Sequence, residues 1–265
     1  SIILLPGVTS AGEGASGFNV RGGSADQNLI LLDEAIVFNS SHVFGFFSVF
    51  NPDVIKDVQL YKGGIPARYG GRLSSVLDIY QKEGNNKVFK LTGGVGLVSS
   101  RLLAEGPLKK GRSSFLVGGR ASYAHLFLPL VDNDNKAYFY DLNSKINYRF
   151  NRNNNLFFST YFGKDLFGIN ESFVNTYGNT VANLRWNHLF SDKLFSNLSL
   201  IYSDYFYGLT LDFVGFEWDS GITNYNIKYD FDYFIKDNFK LSFGVNDIYT
   251  QFNPGKIIPN REDSG

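Results

Sequence analysis

Two stretches of strict two-residue alternation constrain this chain most. In the first, Tyr138, Tyr140, Leu142, Ser144, Ile146 and Tyr148 fall on one face, and Asp141, Asn143, Lys145, Asn147 and Arg149 on the other. In the second, Thr223, Tyr225, Ile227, Tyr229, Phe231 and Tyr233 oppose Asn224, Asn226, Lys228, Asp230 and Asp232. Successive side chains of a strand point to opposite faces, so the pattern predicts strands with one apolar and one wet side. A soluble strand runs about five or six residues. These runs of roughly ten to fourteen are long enough for a tilted strand to cross a bilayer. In such a barrel the apolar face, including Tyr140, Ile146, Tyr225 and Tyr229, meets lipid. Asp141, Asn143, Lys145, Asn226, Lys228 and Asp230 then line the lumen.

The rest of the second half reads the same way. Val88–Val98 with Arg101–Leu108 forms a first hairpin, and Ser113–Tyr123 a third strand. Short polar turns at Lys109–Arg112, Asn151–Asn154, Ser191–Lys193 and Lys236–Asn238 alternate with longer segments at Pro129–Lys136, Ile169–Asn179 and Thr210–Gly221. Such alternation fits periplasmic turns at one end of a barrel and extracellular loops at the other. The alternation blurs at Asn155–Gly163 and Leu194–Tyr205, where contact with an internal domain would place aromatics on both faces. About nine strands are expected, an odd number, against about 22 in plugged transporters. The chain is therefore expected to be the N-terminal piece of a larger barrel, closing on Asn253–Gly265 as an extracellular loop.

Composition narrows the function. Aromatics make up 17% of the 265 residues, with 28 Gly, which suits many aromatic-rich strands bent and turned at glycine. Zero formal net charge, with no basic run interleaved with aromatics, argues against a nucleic-acid partner. The absence of Cys removes disulfides and thiolate metal sites, and His42, His125 and His188 lack metal-ligand spacing. Glycine pairs at 22–23, 63–64 and 70–71 lack the Gly-Lys-Ser/Thr ending of a phosphate loop, so turns and bulges explain them. Asp132–Asn135 offers oxygen ligands without the glycine and distal Glu of a calcium loop. Asp230 and Asp232 share a face without a substrate between them.

Residues 17–80 have a different texture. Leu29–Leu32 and Ala35–Phe38 flank Asp33-Glu34 as a tight hairpin. Asn51-Pro52 predicts a capped short helix to about Lys56, followed by strands Val58–Tyr61 and Leu73–Tyr80. Thr9–Gly17, rich in Gly, Ser and Ala, reads as a loop. Asn19-Val20-Arg21-Gly22-Gly23, Leu31-Leu32-Asp33, Phe50-Asn51-Pro52, Ile55-Lys56-Asp57-Val58, Lys62-Gly63-Gly64 and Ala67-Arg68-Tyr69-Gly70-Gly71 occur in that order. On these residues the chain resembles the plug of a TonB-dependent outer-membrane receptor of the Bacteroidota type. Glu34 departs from the pattern, which has Gly in the hairpin turn, and suggests a different turn geometry.

The resemblance implies a mixed α/β plug over residues 1–83, with its N-terminal part lying upstream. Antiparallel transmembrane β-barrel strands would follow over residues 84–265, about nine of about 22. It implies import of a scarce ligand (a siderophore, cobalamin, peptide or glycan) powered by TonB and its inner-membrane energising complex. Outer-membrane lipid would surround the barrel, and a surface lipoprotein is a possible partner. No cofactor, metal or covalent chemistry is implied. Apical plug loops would place Ser24, Asp26, Gln27, Asn39, Ser40, Ser41, His42 and Phe44 beneath the ligand vestibule, unless the second loop merely packs on the wall. Arg21, Arg68 and Arg72 would pair with wall carboxylates, a geometry that suits the guanidinium fork. A sensor or secretion-machine subunit, and a soluble β-rich adhesin or glycan-binding module, remain as alternatives.

Overall fold

The computed structural model describes residues 8–10, 18–20, 27–45, 47–70, 74–123, 135–170 and 172–259. The first part holds eight short strands: β1 (Val8–Ser10), β2 (Phe18–Val20), β3 (Asn28–Leu32), β4 (Ala35–Ile36), β5 (Ser41–His42), β6 (Phe47–Ser48), β7 (Ile55–Tyr61) and β8 (Ser75–Gln81). A four-stranded sheet in the order β4-β3-β8-β7 forms its centre, with β3 and β8 parallel. All five residues of β3 are buried, as a strand covered on both faces requires. Thr9 and Ser10, expected in a loop, instead pair with Asn19 and Phe18.

The expected helix does not form, and no α-helix occurs among the described residues. One turn remains: the Val54 amide donates to the Asn51 carbonyl at 3.1 Å, and the Asn51 side chain accepts from the Asp53 amide at 3.0 Å. A single turn gains little against the cost of helix nucleation. Val54 is drawn instead beneath Leu103 and Leu116, and pairing with β8 begins at Ile55.

Asp33 and Glu34 link β3 to β4 with φ of 47° and 72°. Positive φ at both central residues is the type I′ geometry that matches strand twist. Glutamate at 34 therefore leaves the tight hairpin geometry intact, contrary to the expected change of turn.

Nine strands make a continuous antiparallel wall in chain order: β9 (Lys90–Val95), β10 (Ser99–Lys109), β11 (Ser113–Ser122), β12 (Lys136–Arg149), β13 (Asn154–Ile169), β14 (Phe173–Ser191), β15 (Leu194–Leu211), β16 (Phe216–Lys236) and β17 (Phe239–Pro259). Two connections expected to be long are short. Phe173 already pairs with Ile169 and Phe216 with Leu211, because the alternating residues of both segments extend the ladders. Likewise Asn253–Pro259 continues β17 rather than forming a loop, and Asp132–Asp134 and residues 260–265 lie outside the described residues. The sharp turns at 110–112, 150–153, 192–193 and 237–238 mark one end of the wall.

Along β12, Asp141, Asn143 and Lys145 are buried while Leu142 and Ile146 are exposed. On β16, Asn224 and Lys228 are buried, Asn226 is half-buried, and Tyr225 and Ile227 are exposed. The buried face meets the plug. Tyr161, Val181 and Ile201 join one apolar cluster with Val20, Ile30, Leu32, Val37, Val49, Leu77 and Ile79. Full burial of such side chains contributes about 1.5–3 kcal/mol each. This contact is why aromatic and aliphatic residues interrupt the wall's polar face. Between plug and wall, Gly84 takes a φ of 80°, and a Cβ there would collide with the Phe115 carbonyl, so the linker hugs β11.

Candidate functional site

The chemistry-bearing side chains converge where the plug touches the wall, in two polar clusters. The first surrounds the Asp33-Glu34 turn, toward the end with the sharp turns. Lys145 on β12 donates to both carboxylate oxygens of Asp33, at 2.9 and 3.0 Å, and to the Gln81 carbonyl at 3.1 Å. Asp33 also accepts from the Gln81 amide at 3.1 Å, and its carbonyl accepts from the Asn183 amide group at 2.5 Å. Asp33 and Lys145 are each 2% exposed, so every bond here replaces water that the pair has lost. Glu34 reaches across to β15, accepting from the Ser199 hydroxyl and from the Asn197 side chain at 3.2 Å.

The second cluster surrounds His42, toward the opposite end. Asp141 and Lys145 lie four residues apart on β12, so the clusters are separated by about 13 Å along the strand. His42 Nδ1 lies 2.6 Å from Asp165, and Nε2 lies 3.3 Å from both Asp141 and the Tyr161 hydroxyl. Its ring stacks on Phe139 with centroids 4.3 Å apart. Arg120 on β11 binds Asp141 at 2.5 Å and donates to the plug carbonyls of Ser48 and Val49 at 2.9 and 3.1 Å. Two carboxylates thus face one arginine, and the cluster is neutral only when His42 carries a proton. Between the clusters Asn179 clamps plug backbone, accepting from the Phe38 amide at 3.1 Å and donating to the Asn39 carbonyl at 2.8 Å.

Burial alone would lower the His42 pKa, but hydrogen bonds and charge from Asp141 and Asp165 outweigh it and leave the pKa above 6.5. A group raised on docking stabilises fully below its free pKa and loses that contribution as pH rises through the docked value. The facing groups are Asp141 on β12, Asp165 and Tyr161 on β13, and Arg120 on β11. Protection of the amides of residues 39–45, taken relative to their intrinsic base-catalysed exchange, should therefore be greatest at pH 6.5 or below and fall at higher pH. His42→Gln should flatten this dependence, and an unchanged profile in that variant would count against the charged cluster.

In the plug interior, Asp78 accepts from the Tyr69 and Tyr80 hydroxyls at 2.6 and 2.7 Å. Burial pushes its carboxyl up, against the opposing pull of those two hydroxyls.

The expected site residues are distributed unevenly. Arg21, Ser24, Asp26 and Arg72 lie outside the described residues, and for Phe44 only the backbone is described, in a single 3-10 turn. Gln27 is half-buried, its carbonyl accepting from the Ser74 amide at 3.2 Å. Asn39 and Ser40 are half-buried, but Ser41 and His42 are not at an exposed loop tip. His42 is 1% exposed because wall residues on two strands, β12 and β13, enclose its ring. Arg68 is exposed and borders a cavity of about 900 Å³ that also touches Glu34, Arg185, Asp230 and Asp232. Asp141 and Lys145 bind the plug directly, whereas Asp230 pairs with neighbouring Lys228 at 3.4 Å. Sequence reasoning missed Asp33, Glu34, Asp165, Asn179 and Asn183. The available signal was two adjacent acids at a hairpin tip facing a wall rich in Asn and Lys.

Residues 2–75 match the family described as the TonB-dependent Receptor Plug Domain. No curated protein sequence matches the chain. Among solved structures, the chain is similar to the siderophore receptor PirA from Pseudomonas aeruginosa, with a TM-score of 0.65 and 17% identity over 97% of this chain and 46% of that one. It is also similar to the alcaligin outer-membrane receptor FauA from Bordetella pertussis (TM-score 0.68, 12% identity, 94% of this chain and 43% of that one). A third similar structure is the copper transporter OprC (0.70, 13%, 92% and 42%). The chain thus spans less than half the length of these structures. Residues 2–75 thus match the plug domain of TonB-dependent receptors, and with the antiparallel wall that follows the chain shares the fold of these solved structures.

Proposed function

We propose that the chain is the plug (residues 1–83) and first wall strands (84–265) of an outer-membrane receptor that imports a scarce extracellular ligand. TonB and its inner-membrane energising complex would pull the plug away from the wall, with no covalent chemistry. The observation that supports this most is the nature of the plug–wall contact. Beside one apolar cluster, the plug is held by separable hydrogen bonds and ion pairs on a polar wall face. Such groups can be re-solvated when the plug moves, whereas a wholly apolar seam would resist opening in water.

The ligand classes that fit are siderophore, cobalamin, peptide and glycan. Because the similar structures include siderophore receptors and a copper transporter, metal-bearing ligands are the first we would try. Gln27, Asn39 and Ser40 are the described members of the expected apical set whose side chains are still partly open. The test is growth of a deletion strain on a panel of scarce nutrients, with uptake repeated in a strain lacking TonB. We expect loss of one nutrient, restored by the full gene only when TonB is present. Restoration without TonB, or no deficit across the panel, would refute the import reading.

A further inference from the structure

We propose that Glu34 is a positioning residue that latches the plug to β15 and is the first contact to open when the plug leaves the wall. This rests on the import reading above. Glu34 sits at φ 72°, a backbone region that a long unbranched side chain occupies only when its surroundings hold it there. Nothing within the hairpin calls for a carboxylate at that position. The β3–β4 pairing is made by backbone groups, and glycine would take the same turn without strain. The carboxylate is used across the gap instead. One oxygen accepts from the Ser199 hydroxyl and the other from the Asn197 side chain at 3.2 Å. Ser199 is 0% exposed, so this dock is built into the wall rather than laid on its surface.

Its neighbour Asp33 makes a different kind of contact. Asp33 and Lys145 are enclosed, and separating them leaves a bare charge on each side. Glu34 is half-buried and borders the cavity of about 900 Å³ between plug and wall, where water can take over its hydrogen bonds as soon as they break. It is therefore the contact that opens first and closes again most readily. Asp33–Lys145 is the one that must follow before the tip is free.

The test is a double-mutant cycle on the full-length receptor in liposomes, read by amide exchange over residues 29–37. Asn197→Ala with Ser199→Ala leaves the plug sequence untouched and should speed exchange by about tenfold or more, as for loss of charge-assisted bonds. Glu34→Ala should do at least as much, and the combined variant should exchange no faster than Glu34→Ala alone. Glu34→Gly removes strain and latch together and should fall between wild type and Glu34→Ala. Additive effects, an unchanged wall variant, or slower exchange in Glu34→Gly than in wild type would each overturn the latch. In cells, the wall variant should keep its maximal uptake rate per assembled receptor. A fall in that rate would mark a merely structural role and also overturn the proposal. The cycle needs no transport. An intact cycle in a receptor that imports nothing therefore refutes the import reading alone, and an absent cycle in an importing receptor refutes the latch alone.

Discussion

Lys145→Met should destabilise plug docking by about 3–5 kcal/mol, the usual consequence of leaving one member of a buried pair uncompensated. Methionine has nearly the length of lysine and fills the same channel beneath Asp33, so the loss is electrostatic rather than a cavity. Asp33 would keep its one bond from the Gln81 amide but lose both from Lys145, and the Gln81 carbonyl would lose a donor. Asp33→Asn alongside Lys145→Met removes the stranded charge and keeps an acceptor for the Gln81 amide, so it should recover part of the loss. Denaturant titration of the full-length receptor, followed by exchange of plug amides, measures both. A single variant indistinguishable from wild type would show that the pair is not what holds the turn.

The adjacent residue gives the second large effect, on the opposite face. Ile146 is 42% exposed on the side of β12 that carries Tyr140 and Leu142, away from the plug. If that side meets hydrocarbon, Ile146→Arg should cost about 2–4 kcal/mol near the midplane. Asn226→Arg, whose side chain belongs to the other face of β16, should assemble normally. The amount of heat-modifiable, protease-protected receptor in outer membranes distinguishes the two variants. Equal loss, or loss confined to Asn226→Arg, would reverse the assigned faces.

The wall was legible because its physics is periodic. Lipid or solvent on one side and a polar interior on the other force a two-residue rhythm, and Tyr140–Arg149 carries it with Ser144 as the one exception. Where Tyr161, Val181 and Ile201 break the rhythm, the cause is the plug, an element remote in sequence. Loop lengths were misjudged for a related reason. Segments such as Phe173–Asn179 mix glycine and polar residues like a loop, yet a neighbouring strand in register keeps them extended. The predicted helix after Asn51 failed because strand pairing from Ile55 and burial of Val54 outweigh a good cap.

The contact site was less legible. His42 looked like a loop residue for binding, but the Phe139, Asp141 and Asp165 side chains that enclose it come from strands far along the chain. Arginines were expected to reach from plug to wall. In the described ion pairs of the Asp33 cluster the polarity is reversed, with the plug supplying the acid and the wall the lysine. No spacing rule links Asp33 to Lys145, since only the docking of hairpin on wall brings them together.

The central claim is that the plug must part from this wall for import. It is tested most directly by fastening the two together. The 265 residues contain no cysteine, so a pair introduced as Glu34→Cys and Ser199→Cys, joined by a short thiol cross-linker, gives one defined tether in this region. Uptake of the nutrient identified in the deletion strain is then followed in whole cells before and after cleavage of the link. The account predicts that the tethered receptor still binds its ligand at the surface, imports none, and recovers import when the link is cleaved. Undiminished import with the tether shown intact would contradict it.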